Sequence, residues 1–172
     1  SNTLAVMNRT SNKVAAALAL NSNQYVDQYW WVDDNRIVIS IAEKRGGYDT
    51  PFATGELFAL DARSGSNLYL FGYRGGGGGG TGTHIKRSLA TNASATVLES
   101  RADEAGTILI GISHWNGTAE GGKMELARLN VKTAMLTKSG GTLPWRYVDN
   151  VLVDADGKLR AVAGAAVTAD KS

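Results

Sequence analysis

The chain contains no cysteine among its 172 residues and only two prolines. Without cysteine it has no disulfide framework, no thiolate metal ligand and no cysteine nucleophile. It also lacks a charge excess of one sign, since its formal net charge is +2 and no run of lysine or arginine forms a basic stripe. That composition gives no indication of nucleic-acid binding. A membrane-spanning helix needs about 20 apolar residues, and no apolar run in the chain approaches that length.

Glycine, by contrast, is abundant, with 21 residues, and 43% of the chain is hydrophobic. Many glycines with few prolines favour all-β structure with many turns over a disordered linker. Short apolar, β-branched segments follow one another with polar turns between them, as at 36–42 and 107–113, and no segment keeps a helical period. Residues 124–130 alternate apolar and polar side chains at period two, which is typical of a half-buried strand. We therefore expect an antiparallel β protein.

The predicted strands form a repeat of about 45–50 residues, built from strand, short turn, strand and longer loop. Residues 29–73 supply four segments and residues 97–136 four more. Residues 4–20 match the last two strands of an earlier unit, and residues 145–165 match the first two of a later one. This pattern predicts a partial β-propeller of about three four-stranded antiparallel blades over residues 4–165, incomplete at both ends. Because a closed propeller usually needs at least four blades, the chain is either a segment or an assembly whose copies complete each other.

Six consecutive glycines at 75–80 interrupt the repeat. Glycine loses the most backbone entropy on ordering and offers no side chain to pack, so we predict a mobile surface loop at about 74–83. The run satisfies a Gly-x-Gly-x-x-Gly template trivially. No Lys-Ser or Lys-Thr pair follows it and no helix is predicted after it, so a nucleotide site is not expected.

Several phrases in a fixed order carry a family resemblance. They are Tyr29-Trp30-Trp31-Val32-Asp33-Asp34-Asn35-Arg36-Ile37-Val38, then Gly55-Glu56-Leu57-Phe58-Ala59-Leu60-Asp61, then Tyr69-Leu70-Phe71-Gly72-Tyr73, and finally 151–161. In this order they resemble the N-terminal β-propeller of bacterial prolyl oligopeptidase-family serine peptidases of the dipeptidyl or acylaminoacyl peptidase type. The glycine run is not part of that pattern.

The resemblance implies a two-domain peptidase in which a propeller restricts access to an α/β-hydrolase domain with a Ser-Asp-His triad. That catalytic domain would lie C-terminal and is not in this sequence. The implied partners are the chain's own C-terminal hydrolase domain and a peptide substrate in the chamber, with no nucleic acid and no membrane. The compartment stays open between periplasmic or secreted and cytoplasmic.

No catalytic motif is found in the chain itself. The nucleophile elbow Gly-x-Ser-x-Gly is absent, and the nearest phrase, 111–115, has tryptophan where the second glycine should be. Ser113 and His114 are neighbours on a predicted strand, so they should point to opposite faces. Neither His84 nor His114 has a partner at metal-ligand spacing. Asp154-Ala155-Asp156-Gly157 lacks the later ligands of a calcium loop and is interpreted as a turn. We therefore expect no catalytic, cofactor-binding or metal-binding residue.

Four charged residues are candidates for facing the chamber and contacting a peptide terminus, although strand register decides which face each occupies. They are Arg36, Glu43, Arg45 and Glu56. Two alternatives stay open. One is a stand-alone β-repeat interaction module that self-associates into a homo-oligomer. The other is a carbohydrate-binding β domain that uses exposed tryptophans. The four tryptophans, which are Trp30, Trp31, Trp115 and Trp145, are interpreted first as residues of blade cores or blade interfaces.

Overall fold

The computed structural model describes residues 2–47, 50–74, 91–115, 124–143, 147–154 and 158–165. Over these residues the protein is all-β, with twelve strands. The strands are β1 (Thr3–Asn8), β2 (Lys13–Ala19), β3 (Gln24–Asp33), β4 (Arg36–Glu43), β5 (Phe52–Asp61), β6 (Asn67–Phe71), β7 (Ala93–Glu99), β8 (Thr107–His114), β9 (Glu125–Asn130), β10 (Leu136–Thr142), β11 (Tyr147–Val153) and β12 (Leu159–Ala165). The described part of the chain contains no helix that could cross a membrane.

Every described strand pairs antiparallel with at least one neighbour in sequence, and the pairs form four sheets. Two sheets have four strands each, in the orders β3-β4-β5-β6 and β7-β8-β9-β10. The other two are hairpins, β1-β2 and β11-β12. The expected all-β antiparallel class is therefore confirmed. The second four-stranded unit is longer than expected at both ends, since it runs from Ala93 to Thr142.

Three hairpins have the same type of turn. In each, the last residue of the first strand closes the turn through its side chain. The Oδ1 atoms of Asn8, Asp61 and Asn130 each accept hydrogen bonds from the backbone N–H groups two and three positions later. In each turn a backbone bond also joins that residue to the fourth residue after it, which has a positive φ. Asparagine and aspartate favour such turns because their short side chains reach nearby N–H groups. The same turn therefore closes β1-β2, β5-β6 and β9-β10.

A second turn type closes β7-β8 and β11-β12. Asp103 and Asp154 each accept, at Oδ1, a 2.8 Å hydrogen bond from the backbone N–H four residues later. The backbone N–H of each aspartate donates to the carbonyl of that same later residue. By this local geometry hairpin β11-β12 matches β7-β8, the first half of a four-stranded sheet. Hairpin β1-β2 instead matches the second halves, β5-β6 and β9-β10.

Apolar side chains join the four sheets into one stack. On β4, Val38 faces the sheet β7-β10, whereas Ile37, Ile39 and Ile41 face the hairpin β1-β2. Seven of its eight residues are buried, so its sequence is a continuous apolar run rather than an alternating one. At the other end of the stack, Leu126 lies in a cluster that joins β9 to the hairpin β11-β12.

Two sheets approach each other very closely where β5 crosses β7. Gly55 has φ +72°, and a Cβ built there would lie 2.2 Å from Cβ of Ser94. An L-residue would therefore be strained both by its backbone and by its neighbour. This approach requires glycine at position 55.

Connections of two kinds leave opposite ends of the stack. The turns within hairpins, such as those after Asp33 and Asp61, lie at one end, which we call the turn end. The connections between hairpins leave from the other end, which we call the loop end, as after Glu43 and Phe71. The glycine-rich loop predicted at about 74–83 lies outside the described residues from 75 onward.

Candidate functional site

A group of charged and phenolic side chains lies at the loop end of the sheet β3-β6. It consists of Glu43 at the end of β4, Glu56 in β5, Tyr69 in β6, and Tyr73 and Arg74 just after β6. We call these five residues the Arg74 cluster. Antiparallel pairing of β4 with β5 and of β5 with β6 brings these positions together.

Arg74 binds both carboxylates of the cluster. Its Nη1 lies 2.9 Å from Oε1 of Glu43, and its Nε lies 2.9 Å and 3.0 Å from the two carboxylate oxygens of Glu56. Its Nη2 also donates to Glu56. The side chains of Glu56 and Glu43 are 1% and 7% exposed, whereas that of Arg74 is 34% exposed. Burial of a carboxylate costs free energy unless the group is paired. Arg74 therefore offsets the cost of burying Glu56 between the stacked sheets.

Tyr69 completes the coordination of Glu56. Its hydroxyl donates a 2.8 Å hydrogen bond to Oε1 of Glu56 and accepts one from the backbone N–H of Arg74. Burial, and after it the charge of Glu56, raises the pKa of Tyr69 far above its ordinary value. Hydrogen bonding to Glu56 raises the pKa of Arg74. The phenol therefore stays protonated and the guanidinium charged over the whole physiological range.

Gly72 allows the chain to turn back over the cluster. Its φ is +140°, and a Cβ there would lie 2.4 Å from the hydroxyl of Tyr69 and 2.6 Å from Cγ of Glu56. The backbone passes directly over the buried carboxylate, and Arg74 follows two residues later. Strand β6 accordingly ends at Phe71, although the apolar segment 68–73 predicts a strand to Tyr73.

Exposed side chains form a rim around the cluster. Arg45 is 61% exposed, lies 3.8 Å from Oε2 of Glu43 and is placed over the ring of Phe52. Trp115, immediately after β8, is 46% exposed, and its ring centroid lies 5.1 Å from that of Tyr73. The cluster and this rim therefore join two sheets at the loop end, and Arg45 and Trp115 are accessible residues of the rim.

A different ion-pair group lies at the turn end. Arg36 donates to Asp61 at 3.1 Å and lies 3.7 Å from Asp33. Hydrogen bonding from the backbone of Ser64 lowers the pKa of Asp61. Of the four candidates from the sequence, three therefore gather at the loop end, and Arg36 lies at the opposite end. Only Arg45 of the four is well exposed.

His114 bonds to a carboxylate on the neighbouring strand. Its Nε2 lies 3.1 Å from Oε2 of Glu125, whose other oxygen accepts a 2.9 Å bond from Lys138. The bond with Lys138, and then that with His114, lowers the pKa of Glu125. Ser113 takes no part in this group; it is paired with Ser94 on β7.

The sequence reasoning missed Arg74 and its two tyrosines as members of a site. Glutamate at 56, inside the apolar phrase 55–61, was the available signal, because a carboxylate in a buried strand needs a cation. His84, Trp145 and Asp156 lie outside the described residues. Within the described ranges, no three His, Asp or Glu side chains are grouped so that they could hold a metal ion.

Comparison of the chain with models of known families gives no match. Searches against curated proteins and against solved structures give no significant match either.

Proposed function

We propose that this chain is a non-catalytic segment of a β-propeller, and that the propeller controls the access of peptides to the α/β-hydrolase domain of a prolyl oligopeptidase-family serine peptidase. The single observation that carries the propeller part is the recurrence of one turn. Asn8, Asp61 and Asn130 close it in the same way in three successive sheets.

A repeat of supersecondary units is what a propeller requires. Each four-stranded unit has both faces apolar, as β4 illustrates, so it needs a similar unit on each side. The arrangement of two, four, four and two strands supports a row of blades that begins and ends within a blade. The peptidase part of the proposal rests on the family resemblance of the strand phrases.

The Arg74 cluster supports the proposal that this propeller segment forms a rigid wall of the peptidase chamber. A filter that rejects large polypeptides must hold its loop-end connections in place, and multidentate bonds from a guanidinium to two buried carboxylates do this. Among the described residues, Arg45 and Trp115 on the rim are accessible groups that a peptide passing this end would meet.

The peptidase assignment is tested on the polypeptide that the source cell makes. Cell extract is treated with a serine-reactive fluorophosphonate probe and precipitated with antibodies raised against this 18.2 kDa chain. We expect one labelled polypeptide much larger than the chain. A precipitated polypeptide that carries no label, with active hydrolases labelled in the same extract, would refute the assignment.

Gating is tested in that parent enzyme with Arg74→Met, which releases the connection after β6. Hydrolysis of a dipeptide chromogenic substrate should change little, whereas cleavage of polypeptides of about 30 residues or more should rise. Arg63→Met, a change at the turn end, is the control. Equal changes for short and long substrates would show that the cluster does not filter by size.

A further inference from the structure

The ion pairs at the loop end expose their cations and bury their carboxylates. In the Arg74 cluster the two carboxylates are almost fully buried, whereas Arg74 is 34% exposed and the neighbouring Arg45 is 61% exposed. Glu125, which pairs with His114 and Lys138 in the next sheet, is 19% exposed, whereas that lysine is 75% exposed. The surface that these groups present to solvent is therefore basic, although carboxylates and permanent cations are equal in number.

The ion pairs described at the turn end do not share this arrangement. Arg36 and Asp61 are equally exposed, at 20% each. Of the pairs in the other sheets, one has the more exposed carboxylate, on Asp103, and one has the more exposed cation, on Arg160. A consistent exposure of cations is therefore a property of the loop end.

Arg45 is the group at the loop end best suited to bind an anion. Its guanidinium carbon lies 4.7 Å from the centroid of the Phe52 ring. Its Nη2 lies 3.8 Å from Oε2 of Glu43, which is longer than a hydrogen bond. Stacking on a ring restricts the plane of a guanidinium and leaves the N–H groups in that plane available to donate.

Glu43 does not need these N–H groups, because its carboxylate has other partners. Its Oε1 accepts a 2.9 Å bond from Arg74 and a 3.0 Å bond from Asn23, and the hydroxyl of Tyr73 donates to Oε2. An incoming carboxylate can therefore bind Arg45 without leaving Glu43 unpaired. A cationic ligand would instead have to displace Arg45 and approach a carboxylate that is 7% exposed.

An aromatic surface lies beside this guanidinium. The Tyr73 hydroxyl approaches the same carboxylate oxygen as Arg45, at 3.4 Å. The ring of Trp115 packs on the ring of Tyr73 and is 46% exposed. A cation and an exposed indole thus lie within reach of a few residues of an extended peptide, which advances about 3.3 Å per residue.

We propose that this rim binds peptides that carry a carboxylate close to an apolar or aromatic side chain, with Arg45 binding the carboxylate and Trp115 the apolar group. The inference rests on the proposed function, which brings peptides past the loop end, and it adds their chemical class. The carboxylate comes from an acidic side chain or from the C-terminus, since both offer two oxygens to the parallel N–H groups of a guanidinium. Tryptophan and arginine are among the residues that contribute most to binding surfaces.

Titration of the 172-residue chain with short peptides tests the proposal. The first pair is acetyl-Gly-Phe-Asp-Gly-amide and its asparagine counterpart, with a lysine counterpart as the cationic probe. The second pair is acetyl-Gly-Gly-Phe with a free C-terminus and the same peptide as its amide. None contains tryptophan, so emission at 340 nm (about) reports on the chain alone, and equilibrium dialysis measures binding independently.

The carboxylate peptide of at least one pair should bind about 10-fold more tightly than its neutral counterpart, because hydrogen bonds to charged groups contribute about 1.5 kcal/mol or more. This preference should shrink when the salt is raised from about 0.02 M to about 0.5 M, since exposed charges are screened. The pair that shows the preference identifies the source of the carboxylate as a side chain or a C-terminus.

Four variants assign the two parts of the site. Arg45→Met should abolish the carboxylate preference and leave the weak binding of the neutral peptides unchanged, whereas Arg45→Lys, which keeps the charge but loses the planar fork, should retain part of it. Trp115→Ala should weaken both members of each pair and remove most of the emission change. Arg63→Met, at an exposed arginine of the turn end, is the matched control and should change nothing. Circular dichroism and a cooperative melt confirm that each variant is folded.

Three results would overturn the proposal. They are equal affinity within both peptide pairs, a carboxylate preference that survives Arg45→Met, and tighter binding of the lysine peptide than of the aspartate peptide. The peptidase assignment fails separately. A parent polypeptide without fluorophosphonate label would refute that assignment even if the carboxylate preference were intact, and a labelled parent without the preference would refute this site alone.

Discussion

Replacing Arg74 with methionine should be among the most damaging single changes at the loop end. The substitution keeps much of the apolar stem but leaves Glu56, 1% exposed, with the Tyr69 hydroxyl as its remaining side-chain partner among the described residues. Removing one member of a buried ion pair costs about 3–5 kcal/mol. Because Arg74 is 34% exposed, solvent screening places the expected loss at the lower end, about 3 kcal/mol.

Urea unfolding followed by tryptophan fluorescence measures this loss. With an m-value of about 2 kcal/mol per molar for a chain of this size, the midpoint should fall by about 1.5 M at unchanged slope. Arg45→Met is the matched control, because Arg45 lies near the same Glu43 but is 61% exposed. Its cost should stay below about 1 kcal/mol.

A double-variant cycle separates the buried pair from the loss of packing. Glu56→Gln with Arg74→Met removes both charges, so the two changes together should cost at least about 1 kcal/mol less than the sum of the single changes. If Arg74→Met costs no more than Arg45→Met, or if the two changes are additive, the cluster does not stabilise the fold through this pair and the reasoning is wrong.

Two further predictions concern close packing and pH. Gly55→Ala should destabilise the fold by about 2 kcal/mol more than Gly65→Ala, because the two glycines have φ of +72° and +70° but only Gly55 meets Ser94; equal losses in thermal melts would contradict the close approach. Above pH 10 the unfolded chain loses the Tyr69 proton while the folded chain keeps it, because the folded pKa is raised. Stability should therefore fall with rising pH, by up to about 1.4 kcal/mol per unit from this group, and Tyr69→Phe should reduce that slope; an unchanged slope would show that Tyr69 ionises freely.

The sequence predicted the strands because strand formation depends on the composition and the apolar–polar alternation of residues that are adjacent in the chain. β-Branched residues at 36–42 and the alternation at 124–130 mark β4 and β9, and the structure has strands there. Asp61 and Asn130 mark turns for an equally local reason, since each side chain bonds to N–H groups within three residues. The lengths of the connections do not group the hairpins into four-stranded units, because the connections after β2 and β10, which lead to a new sheet, are shorter than those after β4 and β8, which stay within one sheet.

The burial of charged and aromatic side chains was decided by the tertiary structure alone. Glu56 is tolerated because Arg74 reaches it from 18 residues later, and Gly55 is needed because β7 crosses β5 at that point. Trp30 packs in the core while Trp31 is exposed, a difference set by which neighbouring sheet has four strands and which has two. Strand periodicity determines that the two tryptophans point to opposite faces, but only the contacts between sheets determine which face is covered.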